Sequence, residues 1–406
     1  YIQMVCEDRK RALILSTHQP AANPRALKEY ETLKEQGFTV KYLYAYNYDW
    51  SHEIDEIKFA KGLLPRPDFV QVGGNPHQQP IRYFISRVLY RMFRFTAYLH
   101  SFFQQMGSSR SAWELWQTAA FFSADIYIAH YLGALPAAYR AAKKHNGVLL
   151  FDAEDFHRGE RSYYSNQIRN VVEIENRLMV KAHAVTTASP MIAEEYKKLY
   201  PDQQIFTINN VFPRRHLQAV KSRKDNTLRL FWFSQKVGRN RGIEDVLQAI
   251  ALCRKGIELH LLGFCTEDDK QFFHQLTTAN GGNAQDLHFY PPVPEKEIFE
   301  LAHRFDIGLA TETGVPYNRE ICLTNKIFTY IQSGLAVIAS DTLAQRQLLQ
   351  QYNDVGFLYQ KGSVNELARA LENYLDHPAL LQKHKRTSYA IGQEALNWEK
   401  EQAKFI

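Results

Sequence analysis

The chain has 406 residues, 45% of them hydrophobic and 23% charged, with a formal net charge of +6. That length exceeds what one core of roughly 100 to 200 residues serves, so two domains are expected, and the composition excludes a disordered or fibrous chain. No apolar run approaches the roughly 20 residues that span a bilayer, no secretory signal opens the sequence, and no nucleic-acid motif accompanies the modest charge. Cys6, Cys253, Cys265 and Cys322 are scattered without metal-ligand or disulfide spacing, so a reducing, cytoplasmic setting without bound metal is the expectation.

Residues 12–16 read as a short buried strand, and Asn23, Pro24 and Arg25 open a helix with Ala26, Leu27, Tyr30 and Leu33 on one side. Pro24 fits the first helical position; Gly37 closes the helix, and residues 38–45 alternate as a second strand. Between positions 82 and 110 stand Arg82, Arg87, Arg91, Arg94 and Arg110 with no acid, interleaved with Tyr83, Phe84, Tyr90, Phe93, Phe95, Tyr98, Phe102 and Phe103. The arginines recur close to one helical face, which suits an anionic membrane surface or a phosphate-bearing acceptor. A packed helix with snorkelling arginines would look the same.

Residues 124–130 form a strand that ends in His130, the place where ligands meet an open α/β sheet, although a structural histidine also fits there. Residues 148–151 form another strand, feeding a stretch dense in ionisable groups: Asp152, Glu154, Asp155, His157, Arg158 and Glu160. That stretch reads as a loop, either functional or simply solvated. A helix over 170–182, a strand over 184–189, a helix from Pro190 and a strand over 205–210 follow. The basic segment 213–227 interrupts apolar periodicity and reads as a linker between domains at 1–212 and 228–393.

The second half begins with an apolar strand, 228–233, and then Ser234, Gln235, Lys236, Val237, Gly238, Arg239, Asn240, Arg241 and Gly242. A helix starts near Ile243, with Val246, Leu247 and Ile250 on one face. Strand, flexible basic turn and helix N-terminus together can receive a diphosphate, with Arg241 as countercharge. Leu323, Thr324, Asn325 and Lys326 lead into a second helix that runs to Ser333, with Gly334 at C′ and a strand over 335–339. Asn325 and Lys326 thus stand at a helix N-terminus that can point toward a phosphate or a sugar, unless both cations are plain surface charges. Strands are also expected over 258–262, 287–290, 307–310 and 356–359. Strands and helices alternate on both sides of the linker, which predicts two doubly wound parallel sheets.

These two segments resemble the retaining glycosyltransferases of the GT-B fold, especially glycosyltransferase family 4, the glycosyl transferases group 1 set. The resemblance implies an α/β protein of two Rossmann-like domains facing a cleft, with the acceptor on the first domain and the nucleotide sugar on the second. In that family an Arg and a Lys six residues apart hold the donor diphosphate. Here those positions fall on Gln235 and Arg241, and Lys326 would supply part of the missing charge. The family's ribose-binding carboxylate, the second of two glutamates separated by seven residues, would fall on Thr329; Glu312 and Glu320 have that spacing but precede the helix, and Glu320 is carried as its substitute. Ser234, Gly238, Thr324 and Asn325 complete the implied donor set.

In the first domain, Asn23 and Arg25 resemble the acceptor side, with Glu154, Asp155 and His157 near it, and His130 matches the histidine that contacts the donor sugar near the reacting carbon. Asn209, Asn210 and Val211 resemble the segment before the hinge, and the last helix, about 394–406, the one that crosses back to the first domain. The implied reaction is transfer from a nucleotide-diphosphate sugar to a glycan or lipid-linked glycan, as in polysaccharide biosynthesis, with retention of configuration. Arg241, Lys326 and a helix N-terminus would stabilise the leaving group in place of a divalent metal, so no metal and no cofactor is expected. The location expected is cytoplasmic, peripheral on the inner face of a membrane. A sugar-nucleotide epimerase of the same fold, or a degenerate GT-B domain that binds a glycan or partner without turnover, remain the alternatives.

Overall fold

The computed structural model describes residues 10–160, 166–217, 227–253 and 256–406. They form two compact units: residues up to Ile208 with Gln402–Ile406, and Asn209–Glu401.

The first unit is built on β1 (Arg11–Ser16), β2 (Thr39–Ala45), β3 (Phe69–Val72), β4 (Ile126–His130), β5 (Val148–Glu154), β6 (Ala184–Thr187) and β7 (Ile205–Thr207). They pair in the order β3-β2-β1-β4-β5-β6-β7, every neighbour parallel. Central parallel strands are covered on both faces, which is why Leu13, Ile14, Leu15, Ile126 and Ile128 form near-continuous apolar runs and are buried. The crossover after β1 is the helix Pro24–Glu35. Asn23 caps it by accepting from the Ala26 N–H at 3.0 Å, and Pro24 sits where the missing N–H costs nothing.

The second unit holds β8 (Leu228–Lys236), β9 (Ile257–Phe264), β10 (Leu287–Tyr290), β11 (Ile307–Ala310), β12 (Ala336–Ser340) and β13 (Gly356–Tyr359). Their order is β10-β9-β8-β11-β12-β13, again all parallel. Leu230, Trp232, Leu259, Leu261, Leu309 and Ile338 form the centre of its core, each large aliphatic side chain contributing about 1.5 to 3 kcal/mol by leaving water. Both sheets are thus doubly wound. The strand order reverses between β1 and β4 in one and between β8 and β11 in the other, and ligands bind such sheets beyond the strand ends at that reversal.

Several elements depart from the expected bounds. The strand predicted at 148–151 continues through Asp152 and Ala153 to Glu154, with a shift of register before Glu154, so Asp152 and Glu154 are strand residues and not loop residues. Likewise β8 runs on through Ser234 and Gln235 to Lys236, pairing with β9 across a bulge. The close passage there needs Gly263, whose φ is +146° and where a Cβ would come 2.1 Å from the Ser234 carbonyl oxygen. The helix expected at 170–182 is Asn166–Leu178 with a 3₁₀ turn after it.

The arginine-rich stretch is not one helix but Pro80–Phe95 and Ser101–Met106, and Arg110 lies outside both. Arg110 is turned inward, donating to the carbonyls of Gly73 and Tyr46 at 3.1 and 2.6 Å and to Ser86 Oγ at 3.0 Å.

The unit boundary falls a few residues before the predicted one, because the 209–212 segment is held by its own unit. Asn209 donates from N and Nδ2 to Glu401, both at 3.0 Å, and Phe212 exchanges hydrogen bonds with the Gln332 amide. Most of the predicted linker, 218–226, lies outside the described residues. Of the terminal segment expected to cross back, Gln402–Ile406 belongs to the first unit.

Candidate active site

In the second unit the reversal of strand order sets the loop after β8 beside the residues that follow β11. The loop's last residues are stapled down: the Thr311 hydroxyl donates to the Arg241 carbonyl at 3.1 Å and accepts from Trp232 Nε1 at 3.1 Å. Gly242, at φ +81°, passes so close to Thr311 that a Cβ would meet the threonine Cβ at 2.8 Å. Arg241 is thereby fixed at the strand end, half-buried, with its Nη1 donating to the Lys236 carbonyl at 3.3 Å.

The next residue after Thr311, Glu312, organises the cluster. Its side chain is 3% exposed and pairs with Lys326 Nζ at 2.6 Å and with Arg319 Nη1 at 3.4 Å. It also accepts from Thr324 Oγ1 at 3.4 Å, and its N–H is held by Ser340 Oγ at 2.9 Å. Burial alone would raise the carboxyl pKa, but Lys326, Arg319 and Arg241 outweigh it and hold Glu312 below its ordinary value. Arg241 is pushed the other way, its pKa lowered first by burial and then by neighbouring Arg319. Lys326 Nζ also sits 4.9 Å from the centre of the Trp232 ring. Among the described residues, Lys326 and Arg319 thus pair with the Glu312 carboxylate and Arg241 acts on it without a direct ion pair, a formal surplus of two positive charges where an anion would be received.

The remaining donor-side residues divide. Thr324 and Asn325 open the helix Asn325–Gln332 beside Lys326, as expected. Ser234 and Gln235 lie on extended β8, and Gly238 is in the turn after it. The helix Ile243–Leu252 carries Glu244 and Asp245 in its first turn, and Glu244 accepts from the Asn240 N–H at 2.7 Å, so acids already answer part of its positive end. Glu320 does not join the cluster: it pairs with Lys361 at 2.5 Å and accepts from the Leu343 N–H at 3.1 Å, tying neighbouring loops together. Thr329 is buried inside its helix.

In the first unit, His130 stands at the end of β4, as the sequence indicates, but it is fully buried. Its Nε2 meets Glu29 at 2.9 Å, while its Nδ1 is 3.2 Å from both Glu154 and Asp152. Arg25, also fully buried, grips Asp152 with two hydrogen bonds at 2.5 and 3.0 Å and donates to the Ile208 carbonyl. Asn23, besides capping its helix, donates from Nδ2 to Glu154 at 3.0 Å. Burial would lower the His130 pKa, but Glu29, Asp152 and Glu154 reverse this and raise it well above the ordinary histidine value. Asp152 is held low because Arg25 and His130 outweigh its burial, whereas burial raises Glu29.

Asn23, Arg25, His130 and Glu154 are therefore one hydrogen-bonded group. Glu29, which completes it, follows Arg25 by one helical turn, a spacing visible in the sequence. His157 stands apart, its Nδ1 bonded to Glu160 at 2.6 Å. Burial lowers its pKa but Glu160 overrides this, for a value of about 9. Asp155 follows β5, its carbonyl accepting from Tyr196 Oη.

Among the described residues, two groups could offer three ligand atoms to a metal: Glu29, His130 and Asp152, and, elsewhere, Glu258, His260 and His288. In the first, the Arg25 guanidinium already supplies the cation. In the second, Glu258 is paired with Arg229 at 2.8 Å and His260 is bonded to Tyr290 at 3.0 Å.

Residues 228–377 match the family model described as Glycosyl transferases group 1. No curated protein sequence matches the chain at a significant level. Among solved structures, Anabaena Alr3699/HepE in complex with UDP and glucose aligns with a TM-score of 0.67 at 16% identity, covering 98% of each chain. Sucrose-phosphate synthase from Thermosynechococcus elongatus aligns at 0.69 and 13%, over 98% of this chain and 97% of its own. The lipopolysaccharide outer core galactosyltransferase WaaB aligns at 0.62 and 12%, over 97% and 98%. At these identities the structural likeness establishes the fold, which is GT-B.

Proposed function

We propose that this GT-B glycosyltransferase moves a sugar from a nucleotide-diphosphate sugar to a glycan or lipid-linked glycan acceptor, at the inner face of a membrane, with retention and without a divalent metal. The observation that carries the reading is the surplus of positive charge around Glu312. Arg241, Arg319 and Lys326 converge at the strand-order reversal of the domain that matches the group 1 family, and their uncompensated charge suits a diphosphate dianion. As the bond between sugar and diphosphate breaks, negative charge accumulates on the departing oxygen, and fixed cations stabilise that change more than they stabilise the bound substrate. Uridine nucleotides are the first donors to try, since the similar Anabaena protein was crystallised with UDP and with UDP-glucose.

The test is a thermal-shift and calorimetric screen of UDP, GDP and ADP and their sugars, followed by release of nucleoside diphosphate in the presence of candidate glycan acceptors. A nucleotide at 100 times its dissociation constant stabilises the folded chain by about 2.7 kcal/mol. Absence of a shift with every nucleotide, at millimolar concentration, would overturn the proposal.

A further inference from the structure

The helix Pro80–Phe95 presents an apolar face to solvent. Ile81, Phe84, Ile85, Val88, Met92 and Phe95 are all exposed, Phe84 at 66% and Phe95 at 77%. Their spacing confines them to one stripe about 100° wide on the helix surface. Single exposed apolar residues are ordinary, but six in one stripe mark a surface that meets something other than water.

The stripe is not a core face left uncovered, because the helix already packs by its other side. Ser86 and Phe93 are buried, Phe93 lies against Phe102, Phe103 and Trp113, and inward-turned Arg110 bonds to Ser86 Oγ and stacks on Tyr83 at 4.7 Å. The helix is therefore fixed in place with the stripe outward.

Charge decides what the stripe meets. Arg87, Arg91 and Arg94 lie along one flank of it and Arg82 along the other, and among the described residues none of the four pairs with a carboxylate. No Asp or Glu occurs from position 80 to 110. A second copy of the same face would set arginine against arginine, which disfavours self-association. An anionic bilayer offers an apolar interior for the stripe and phosphates for the arginines at the same depth. We infer that the Pro80–Phe95 helix inserts its apolar stripe into an anionic membrane surface, with the flanking arginines at the headgroups.

The inference deepens the proposed function, since it brings the acceptor side to a membrane where lipid-linked glycans reside, and it rests on that reading only for its purpose. The binding itself is tested separately from catalysis. The full chain is sedimented with vesicles of phosphatidylcholine alone or with about one third phosphatidylglycerol, at low and high salt. The protein should bind the anionic vesicles and not the neutral ones. Arg87→Gln, Arg91→Gln and Arg94→Gln combined should weaken partition about 100-fold and abolish most of its salt sensitivity. Phe84→Ser with Phe95→Ser should weaken it tenfold or more at both salt concentrations. In Phe84→Trp, tryptophan emission should shift to the blue on binding and be quenched by brominated acyl chains.

All these side chains are exposed, so circular dichroism and melting temperature should match the wild type, as should nucleotide binding. Failure of the wild type to bind anionic vesicles at low salt would overturn the inference, as would binding that survives both sets of substitutions. A concentration-dependent dimer abolished by Phe84→Ser would instead assign the stripe to self-association. Loss of nucleotide binding in the screen above would refute the donor proposal and leave this one standing.

Discussion

Lys326→Ala tests the cluster around Glu312 most directly. It removes the cation 2.6 Å from a carboxylate that is 3% exposed, leaving Arg319 at 3.4 Å and the Thr324 hydroxyl. Stranding a buried charge costs about 3 to 5 kcal/mol; with Arg319 still within reach, a loss of about 2 to 4 kcal/mol is expected at pH 7.

The loss should depend on pH in a definite sense. In the wild type the folded pKa of Glu312 is depressed, so its stabilisation is present above the unfolded value and lost as pH falls through the folded one. Without Lys326 burial dominates and the folded pKa rises, so the variant's deficit is greatest near neutrality and shrinks as pH approaches about 4.3. Urea denaturation of wild type, Lys326→Ala, Glu312→Gln and the double variant at pH 7 and pH 5 measures this. Glu312→Gln should recover part of the stability lost in Lys326→Ala. A deficit under about 0.5 kcal/mol, or single effects that add within that margin, would refute the account.

Arg241→Ala should leave the melting temperature nearly unchanged, because the side chain is half-buried and among the described residues its one hydrogen bond is to the Lys236 carbonyl, yet weaken nucleotide-sugar affinity by about 1.5 to 3 kcal/mol in calorimetry. Sugar transfer should survive EDTA; activity lost to chelation and restored by Mg²⁺ would contradict the metal-free reading. His130→Ala should destabilise by about 3 to 5 kcal/mol, since it removes a ring that meets Glu29, Asp152 and Glu154 and leaves Arg25 as the cation beside them, and at permissive temperature turnover should fall while nucleotide affinity holds. His157 has a folded pKa raised to about 9, so its contribution is complete below about pH 6.5 and lost as pH climbs through 9. His157→Gln should abolish that alkaline decline in a pH series of melting temperatures.

Alternation of apolar runs with helical periods made both sheets legible, since buried parallel strands such as Leu13 to Leu15 carry little but aliphatic side chains. Local capping rules located the helices at Pro24 and Asn325 almost to the residue. Strand ends were less visible. Glu154 and Lys236 are polar and read as loop, yet a bulge and a neighbouring glycine let the ladder continue through them.

Arg241, Thr324, Asn325 and Lys326 could be placed because each sits at an element boundary with its own local signature. In the sequence Glu312 carries only its spacing to Glu320, and nothing local marks Arg319 or Trp232, because what unites them is the adjacency of β8 and β11, some 80 residues apart along the chain. The partners of Glu320 are hidden for the same reason: Lys361 and Leu343 come from segments that sequence distance does not connect to it.

The confinement of His130 among three carboxylates also limits its chemistry. Its Nε2 faces Glu29 and its Nδ1 faces Asp152 and Glu154, and the three carboxylates favour the protonated ring, so neither nitrogen is turned away from the protein to accept a proton from a substrate. That placement does not suit a general base, which needs a nitrogen facing the group it deprotonates. Any part it takes in transfer is that of a charge held in place by Glu29, Asp152 and Glu154.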